Sequence, residues 1–140
     1  MHAPTPSDPC PCCSSMPFGA CCGPLLSCDK AASTAEQLMR SRYSAFATGA
    51  AGYLLNTWHP TTRPASLDLD EDIEWSRLII NDVVAGSLFD DHGVVEFTAL
   101  YTYPDPDNPA EPAARRRGRQ HERSTFRREN KRWYYVDGIL

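Results

Sequence analysis

The sequence predicts an α+β domain in which N-terminal helices pack inside a curved antiparallel sheet, behind a small metal-binding knuckle. Three observations carry this. Residues 33–57 place apolar side chains at helical spacing, and residues 75–137 alternate them at strand spacing. Ahead of both, Cys10, Cys12, Cys21 and Cys22 fall within 13 residues. Helices first and strands after is the order of an α+β fold, and the natural packing is a sheet wrapped around the helices. At 140 residues, 41% of them hydrophobic, the chain suits one core plus a small appendage.

Residues 1–9 are rich in proline and read as a disordered tail, residues 10–28 as the metal-binding segment and residues 29–140 as the α+β domain. The cysteines are spaced C-x-C-x8-C-C and closed by Gly23. Pro11 stiffens the first pair, and the loop containing Gly19 returns the chain to the second. Four thiols this close converge on one tetrahedral centre, and thiolate favours soft and borderline metals, with Zn2+ the usual occupant. The spacing differs from the C-x2-C pairs of common zinc ribbons. The competing readings are a disulfide framework or scattered thiols. Adjacent Cys21 and Cys22 cannot easily pair with each other, however, and the start of the chain lacks the basic and apolar stretches of a secretory signal. A reducing cytoplasm is therefore expected, which favours metal over disulfide. So short a segment has no core of its own, so the metal must supply its folding energy, ~10–16 kcal/mol for structural zinc in small peptides.

Ser33 and Thr34, each followed three residues later by Glu36 or Gln37, offer two overlapping capping boxes. Leu38, Met39, Arg42, Tyr43, Ala45 and Phe46 continue the helix, and Gly49 stops it. A second short helix fits Ala50 to Thr57 and ends before Pro60. Strands are predicted from Trp75 to Asp82 and from Val94 to Tyr103, the latter with Val95, Phe97, Ala99, Tyr101 and Tyr103 on one face. Residues 104–119, with four prolines and the run Arg115-Arg116-Arg117-Gly118-Arg119, read as a long exposed hairpin loop. Further strands fit Gln120 to Arg128 and Arg132 to Asp137, joined by a tight turn at Glu129-Asn130-Lys131.

Cys10-Pro11-Cys12 followed by Cys21-Cys22-Gly23 resembles the SEC-C motif, the small zinc module at the tail of the SecA translocase ATPase. That family takes Cys or His as its last ligand, here Cys22. It usually has Gly after the second Cys, where this chain has Cys13. Leu38-Met39-Arg40-Ser41-Arg42-Tyr43-Ser44-Ala45-Phe46, then Tyr53-Leu54 and Thr57-Trp58-His59-Pro60, look like the signature of the bacterial YchJ family. So do Glu122-Arg123-Ser124-x-Phe126 and Trp133-Tyr134-Tyr135-Val136-Asp137-Gly138. The resemblance spans residues 10–138. It implies an N-terminal SEC-C module fused to a nuclear-transport-factor-2-like (NTF2-like) cone of helices and curved sheet, in a family whose biochemical activity is not established. It implies one structural Zn2+ per chain on Cys10, Cys12, Cys21 and Cys22, with Cys13 and Cys28 outside the ligand set.

In cones of this kind the first helix and the inner sheet face meet in a pocket. The polar and aromatic candidates for its lining are Arg40, Tyr43, Trp58, His59, Trp75, Tyr101, Glu122, Trp133, Tyr135 and Asp137. By analogy with isomerases, dehydratases and hydrolases of the fold, His59 or Asp137 would be the base and Tyr43 or Tyr135 would polarise a carbonyl. The plainer readings are a packed His59 at a helix end, Asp137 in a turn, and Trp133-Tyr134-Tyr135 as core and sheet surface. Arg40 and Arg42 face different ways on a helix, one buried in an ion pair with Glu122 and the other solvated. No phosphate loop, nucleophile elbow or HExxH motif is present.

Net charge is −4, but residues 68–111 hold twelve acids and one base, and residues 113–132 nine bases and two acids. The expectation is that these stretches neutralise each other across neighbouring strands, with nucleic-acid binding the less favoured alternative. No apolar run approaches the ~18 residues of a membrane span. The expected role is that of a zinc-binding adaptor rather than an enzyme. It would offer a compact surface, including Met16, Phe18, Leu25 and Leu26, to a protein partner such as a ribosome or an export chaperone. The alternative is a pocket that binds or converts a small molecule. A monomer or homodimer fits either reading.

Overall fold

The computed structural model describes residues 4–140. Residues 1–3 of the expected tail lie outside the described residues. The rest of that tail is hydrogen-bonded to the knuckle. Asp8 N–H donates to Thr5 O, Phe18 N–H to Asp8 O and Gly19 N–H to Pro6 O, at 2.8–3.1 Å. The knuckle continues through a single 3-10 turn at Phe18–Ala20 into a one-turn helix, α1 (Gly23–Leu26), opened by Pro24.

The long helix α2 spans Ala35–Thr48. Of the two capping options, Thr34 is used: its Oγ1 accepts from Gln37 N at 3.0 Å. Gln37 Oε1 reaches back one residue further than in the standard box and accepts from Ser33 N. Gly49, at φ 81°, ends the helix in the left-handed conformation that glycine adopts without strain. The short helix α3 (Ala51–Asn56) follows.

Four antiparallel strands lie in sequence order: β1 (Glu74–Ala85), β2 (His92–Pro104), β3 (Arg115–Glu129) and β4 (Arg132–Ile139). The β1 edge is irregular, with register shifts at Trp75/Arg77 and Ile80/Asp82. The β4 edge is partly closed by a short parallel bridge from residues 57–59: His59 N–H donates to Tyr135 O and Tyr135 N–H to Thr57 O. At the tip of the β1–β2 hairpin, Gly86 (φ 75°) and Gly93 approach so closely that a Cβ on Gly93 would sit 2.6 Å from the Gly86 Cα.

The core lies between α2 and the inner sheet face. It is built from Leu38, Met39, Tyr43, Leu78, Val95, Phe97, Ala99, Phe126 and Trp133. The face predicted for β2 is the buried one. The predicted long loop at 104–119 is corrected. Only 105–114 is loop, and the arginine run is the start of β3. The cause is local. The prolines stop at Pro112, and the arginines then alternate across a sheet whose outer face is wet, so a charge run satisfies strand geometry. Gly118 pairs with Tyr101, whose ring covers it; a Cβ there would lie 2.5 Å from the ring.

Arg42 is the least expected core residue, 3% exposed. It does not ion-pair with Glu122, which corrects that expectation. Its guanidinium stacks on Tyr135 (4.6 Å) and Trp58 (5.2 Å) and donates to Leu54 O (2.8 Å) and Thr57 Oγ1 (2.7 Å). Burial pushes its pKa down to about 10, which still leaves it charged at neutral pH. Arg42→Ala would orphan the α3 carbonyl and open a cavity between two rings, costing about 2–4 kcal/mol in urea unfolding. Arg42→Lys recovers less than half of that loss, because an ammonium cannot stack as a plane between two rings.

Candidate metal centre and the cone interior

The four sulfurs predicted as ligands converge. Those of Cys10, Cys12, Cys21 and Cys22 all lie within 4.8 Å of one another. Cys12 and Cys21 are 3.6 Å apart, and Cys21 and Cys22 are 3.9 Å apart. A regular tetrahedron with Zn–S bonds of about 2.3 Å has sulfur–sulfur edges of about 3.8 Å, so the cage has the size of a zinc site. The backbone shapes it: Cys10 N–H donates to Met16 O and Cys13 N–H to Cys10 O, and Cys22 opens α1. Cys13 is exposed, at φ 65°, and its sulfur turns away toward Pro11 O. Cys28 is also exposed and outside the cage.

The thiols crowd each other electrostatically. Cys10 is held well below the ordinary thiol range, first by hydrogen bonding from Cys12 and then from Cys22. Cys12 is pushed up to about 11, chiefly because its partner Cys10 takes the negative charge, and Cys22 is pushed higher still for the same reason. A divalent cation at the centre of the cage would stabilise all four sulfurs as thiolates. The donor set and the spacing therefore fit a metal ion.

The cage is seated on α2. Ser44 Oγ lies 3.7 Å from Cys10 Sγ, and Arg40 Nη1 donates to Cys12 O at 2.9 Å while its Nε pairs with Glu36 at 3.0 Å. Ser44 is fully buried, a position its helical spacing alone did not mark. Leu25, expected on an outward surface, is 1% exposed and belongs to the core; Met16 is the large apolar residue of the knuckle that remains outside.

The candidate pocket residues do not meet in one cavity, which corrects their expected convergence. Tyr43, Trp75 and Tyr101 stack at one end with Phe46. The hollow beside them, about 140 Å3, also touches Met39, Phe97 and Gln120, and Tyr43 is its one titratable residue. Burial raises that phenol far above its usual range. Trp58 and Tyr135 instead flank Arg42. Tyr135 donates toward Glu122 Oε2 at 3.4 Å, and Ser124 Oγ donates to the same oxygen at 2.5 Å. Burial, and then the Glu122 charge, push Tyr135 up to about 12. Arg40 belongs to the knuckle, and Trp133 Nε1 is spent on Ser33 O.

Neither proposed base is free. His59, 4% exposed, has Nε2 3.0 Å from Glu129 and Nδ1 2.7 Å from Thr61 Oγ1. Its contact lowers the pKa of Glu129. Asp137 sits on the outer sheet face and accepts from Thr125 Oγ1 at 2.6 Å.

The charge pairing expected from the sequence is present across the strands. Arg123 bonds Glu96 (2.8 Å) and Asp82 (3.1 Å), and His121 bonds Glu96 (2.7 Å). Arg115 faces Glu74, and Arg116 faces Asp105 and Asp107.

An α+β cone carrying a four-cysteine knuckle defines an NTF2-like domain with a SEC-C motif. Residues 34–138 match the family described as YchJ, middle NTF2-like domain. A UPF0225 protein of Streptomyces coelicolor is 47% identical over 95% of this chain and 96% of its own. One from Chromobacterium violaceum is 47% identical over 94% and 92%. Among solved structures, a SEC-C motif containing protein from Rhodopseudomonas palustris superposes with a TM-score of 0.78 at 30% identity, over 95% of this chain and 98% of that one. Another from Psychrobacter arcticus gives 0.70 at 27%, over 94% and 82%. The chain belongs to the YchJ (UPF0225) family.

Two outcomes follow from this geometry. Arg40→Ala should cost about 1–2 kcal/mol in urea unfolding, because the Cys12 carbonyl loses a charged donor at a partly exposed site. Tyr135→Phe should remove one tyrosinate absorbance step near pH 12. In the wild type the raised native pKa means that this group favours folding fully below pH ~10, and the contribution is lost as pH climbs toward 12.

Proposed function

We propose that the protein is a cytoplasmic, zinc-structured adaptor whose knuckle, held on a filled and chemically quiet cone, docks on a protein partner. The observation that carries this reading is the four-sulfur cage of tetrahedral size seated directly on α2. Zn2+ bound by Cys10, Cys12, Cys21 and Cys22 has no open coordination position, so its role is structural rather than catalytic. The cone interior supports the same reading. Its tryptophans are committed to packing, and His59 and Asp137 both have partners. No helix among the described residues is long and apolar enough to cross a membrane. SEC-C modules in SecA are linked to the chaperone SecB and to ribosomes, so translation or protein export is the setting proposed here. The outward parts of the knuckle, Met16 and the Cys13 turn, form the docking face.

The first test is metal content. Freshly reduced wild-type protein should carry about one zinc per chain, Cys13→Ser should keep it, and Cys21→Ser should lose or weaken it. Metal-free wild type purified without chelator would sink the zinc centre. The second test is co-sedimentation of the zinc-loaded protein with purified ribosomes, and gel filtration with SecB. The expected result is binding to one of them that Met16→Asp weakens and chelation abolishes. Failure to bind either one sinks the adaptor role while leaving the metal site intact.

A further inference from the structure

A second cleft lies outside the cone interior, on the side where the knuckle's exit meets the β4 edge. Its volume is about 590 Å3, within the ~300–1,000 Å3 usual for small-molecule sites and larger than the aromatic hollow. One wall comes from α1 and the chain that follows it (Leu25, Cys28, Lys30, Ala32), another from α2 and α3 (Leu38, Tyr53, Asn56, Thr57). The remainder is Arg63 and the β4 residues Arg132, Trp133 and Tyr134. The floor is apolar and closely packed: Leu25 and Leu38 are 1% exposed and Trp133 3%, and the half-buried rings of Tyr53 and Tyr134 supply the apolar surface that faces the cleft.

The charge of this cleft runs against the rest of the molecule. The chain carries −4 overall, yet the lining holds three cations, Lys30, Arg63 and Arg132, and no carboxylate. On β3, Arg115, Arg116 and Arg123 have acidic partners, whereas none of the three cleft cations forms an ion pair among the described residues. Arg63 is oriented by Nε donation to Trp58 O at 2.9 Å, and Arg132 lies over the Tyr134 ring at 5.8 Å. Asn56 and Thr57 add neutral polar groups to the same lining.

We propose that this cleft binds a small organic anion, with a phosphate or carboxylate group among Lys30, Arg63 and Arg132 and an apolar body against Leu25, Leu38 and Trp133. A solvent-facing cationic rim beside an apolar floor suits that combination. A bare inorganic anion would leave the floor uncovered, and a neutral apolar molecule would leave three cations unmatched. Since one wall is the knuckle's own α1, the site requires the knuckle to be folded. The proposal does not depend on the adaptor role.

The test uses zinc-loaded full-length protein in amide NMR titrations with phenyl phosphate and with benzoate, and with benzyl alcohol as the neutral control. At least one of the two anions should shift the Ala32 and Asn56 amides and the Trp133 indole in a saturable manner, while benzyl alcohol does not. Arg63→Ala and Arg132→Ala, both at exposed positions, should each weaken binding about tenfold or more, and Arg119→Ala on β3 should leave it unchanged. The bound anion should also slow alkylation of Cys28, which lines the cleft, and leave exposed Cys13 unaffected. Shifts centred elsewhere, an equal response to benzyl alcohol, unchanged affinity in both Arg63→Ala and Arg132→Ala, or no shifts at millimolar probe would each overturn the proposal.

Discussion

The structure turns on one constraint: α2 has almost no solvent side. The sheet covers one face, α3 another, and the cysteine knuckle a third. Eight of its fourteen residues are buried, including Ser41, Arg42 and Ser44. Each of these polar groups has a specified partner. Ser41 bonds Leu38 O and Tyr53 OH, Ser44 contacts Cys10, and Arg42 packs against the mutually perpendicular rings of Trp58 and Tyr135. A helix of this kind gains little from its own amphipathicity and is held by three neighbours at once. The knuckle therefore completes the core rather than decorating it, since Cys10, Cys12, Cys22 and Leu25 are continuous with Leu38 and Met39.

The same packing determines what occupies the cone interior. The width that other domains of this shape could give to a ligand is taken up by side chains stacked in pairs. Tyr43 and Phe46 meet Trp75, Trp58 meets Tyr135, and Phe126 meets Tyr135. Arg42 brings a charge into this interior and sets its Nη1 on the Leu54 carbonyl and Thr57 Oγ1, beside the faces of Trp58 and Tyr135.

The fold class, the four strand segments and the four metal-ligand candidates were legible in the sequence because each rests on short-range pattern: period-two alternation, helical spacing, and clustered thiols. The cap at Thr34 and the stop at Gly49 were legible for the same reason. What escaped the sequence depends on distant partners. The arginine run looked like loop because charge density outweighs alternation until the acids near Arg115 and Arg116 are known: Glu74 on β1, and Asp105 and Asp107 in the β2–β3 loop. Arg42 was recognisable as a candidate for burial, but its partners are two rings 16 and 93 residues away, and nothing local announces a stack. Ser44 carries no signal except its small size, which allows the knuckle to approach. The residues of the cationic cleft come from five separate segments, so only the folded chain brings them together.

The uneven edge of β1 has a consequence for the life of the chain during synthesis. A twelve-residue strand with one side unpaired is a template on which another unfolded chain can add as a strand. Here the two register shifts break the ladder into short pieces that no straight strand can match in full. The opposite margin is blunted by the return of residues 57–59 alongside Tyr135. The sheet thus ends on both sides in surfaces poorly suited to recruit a stranger, and newly made copies can fold beside one another without fusing into an extended sheet.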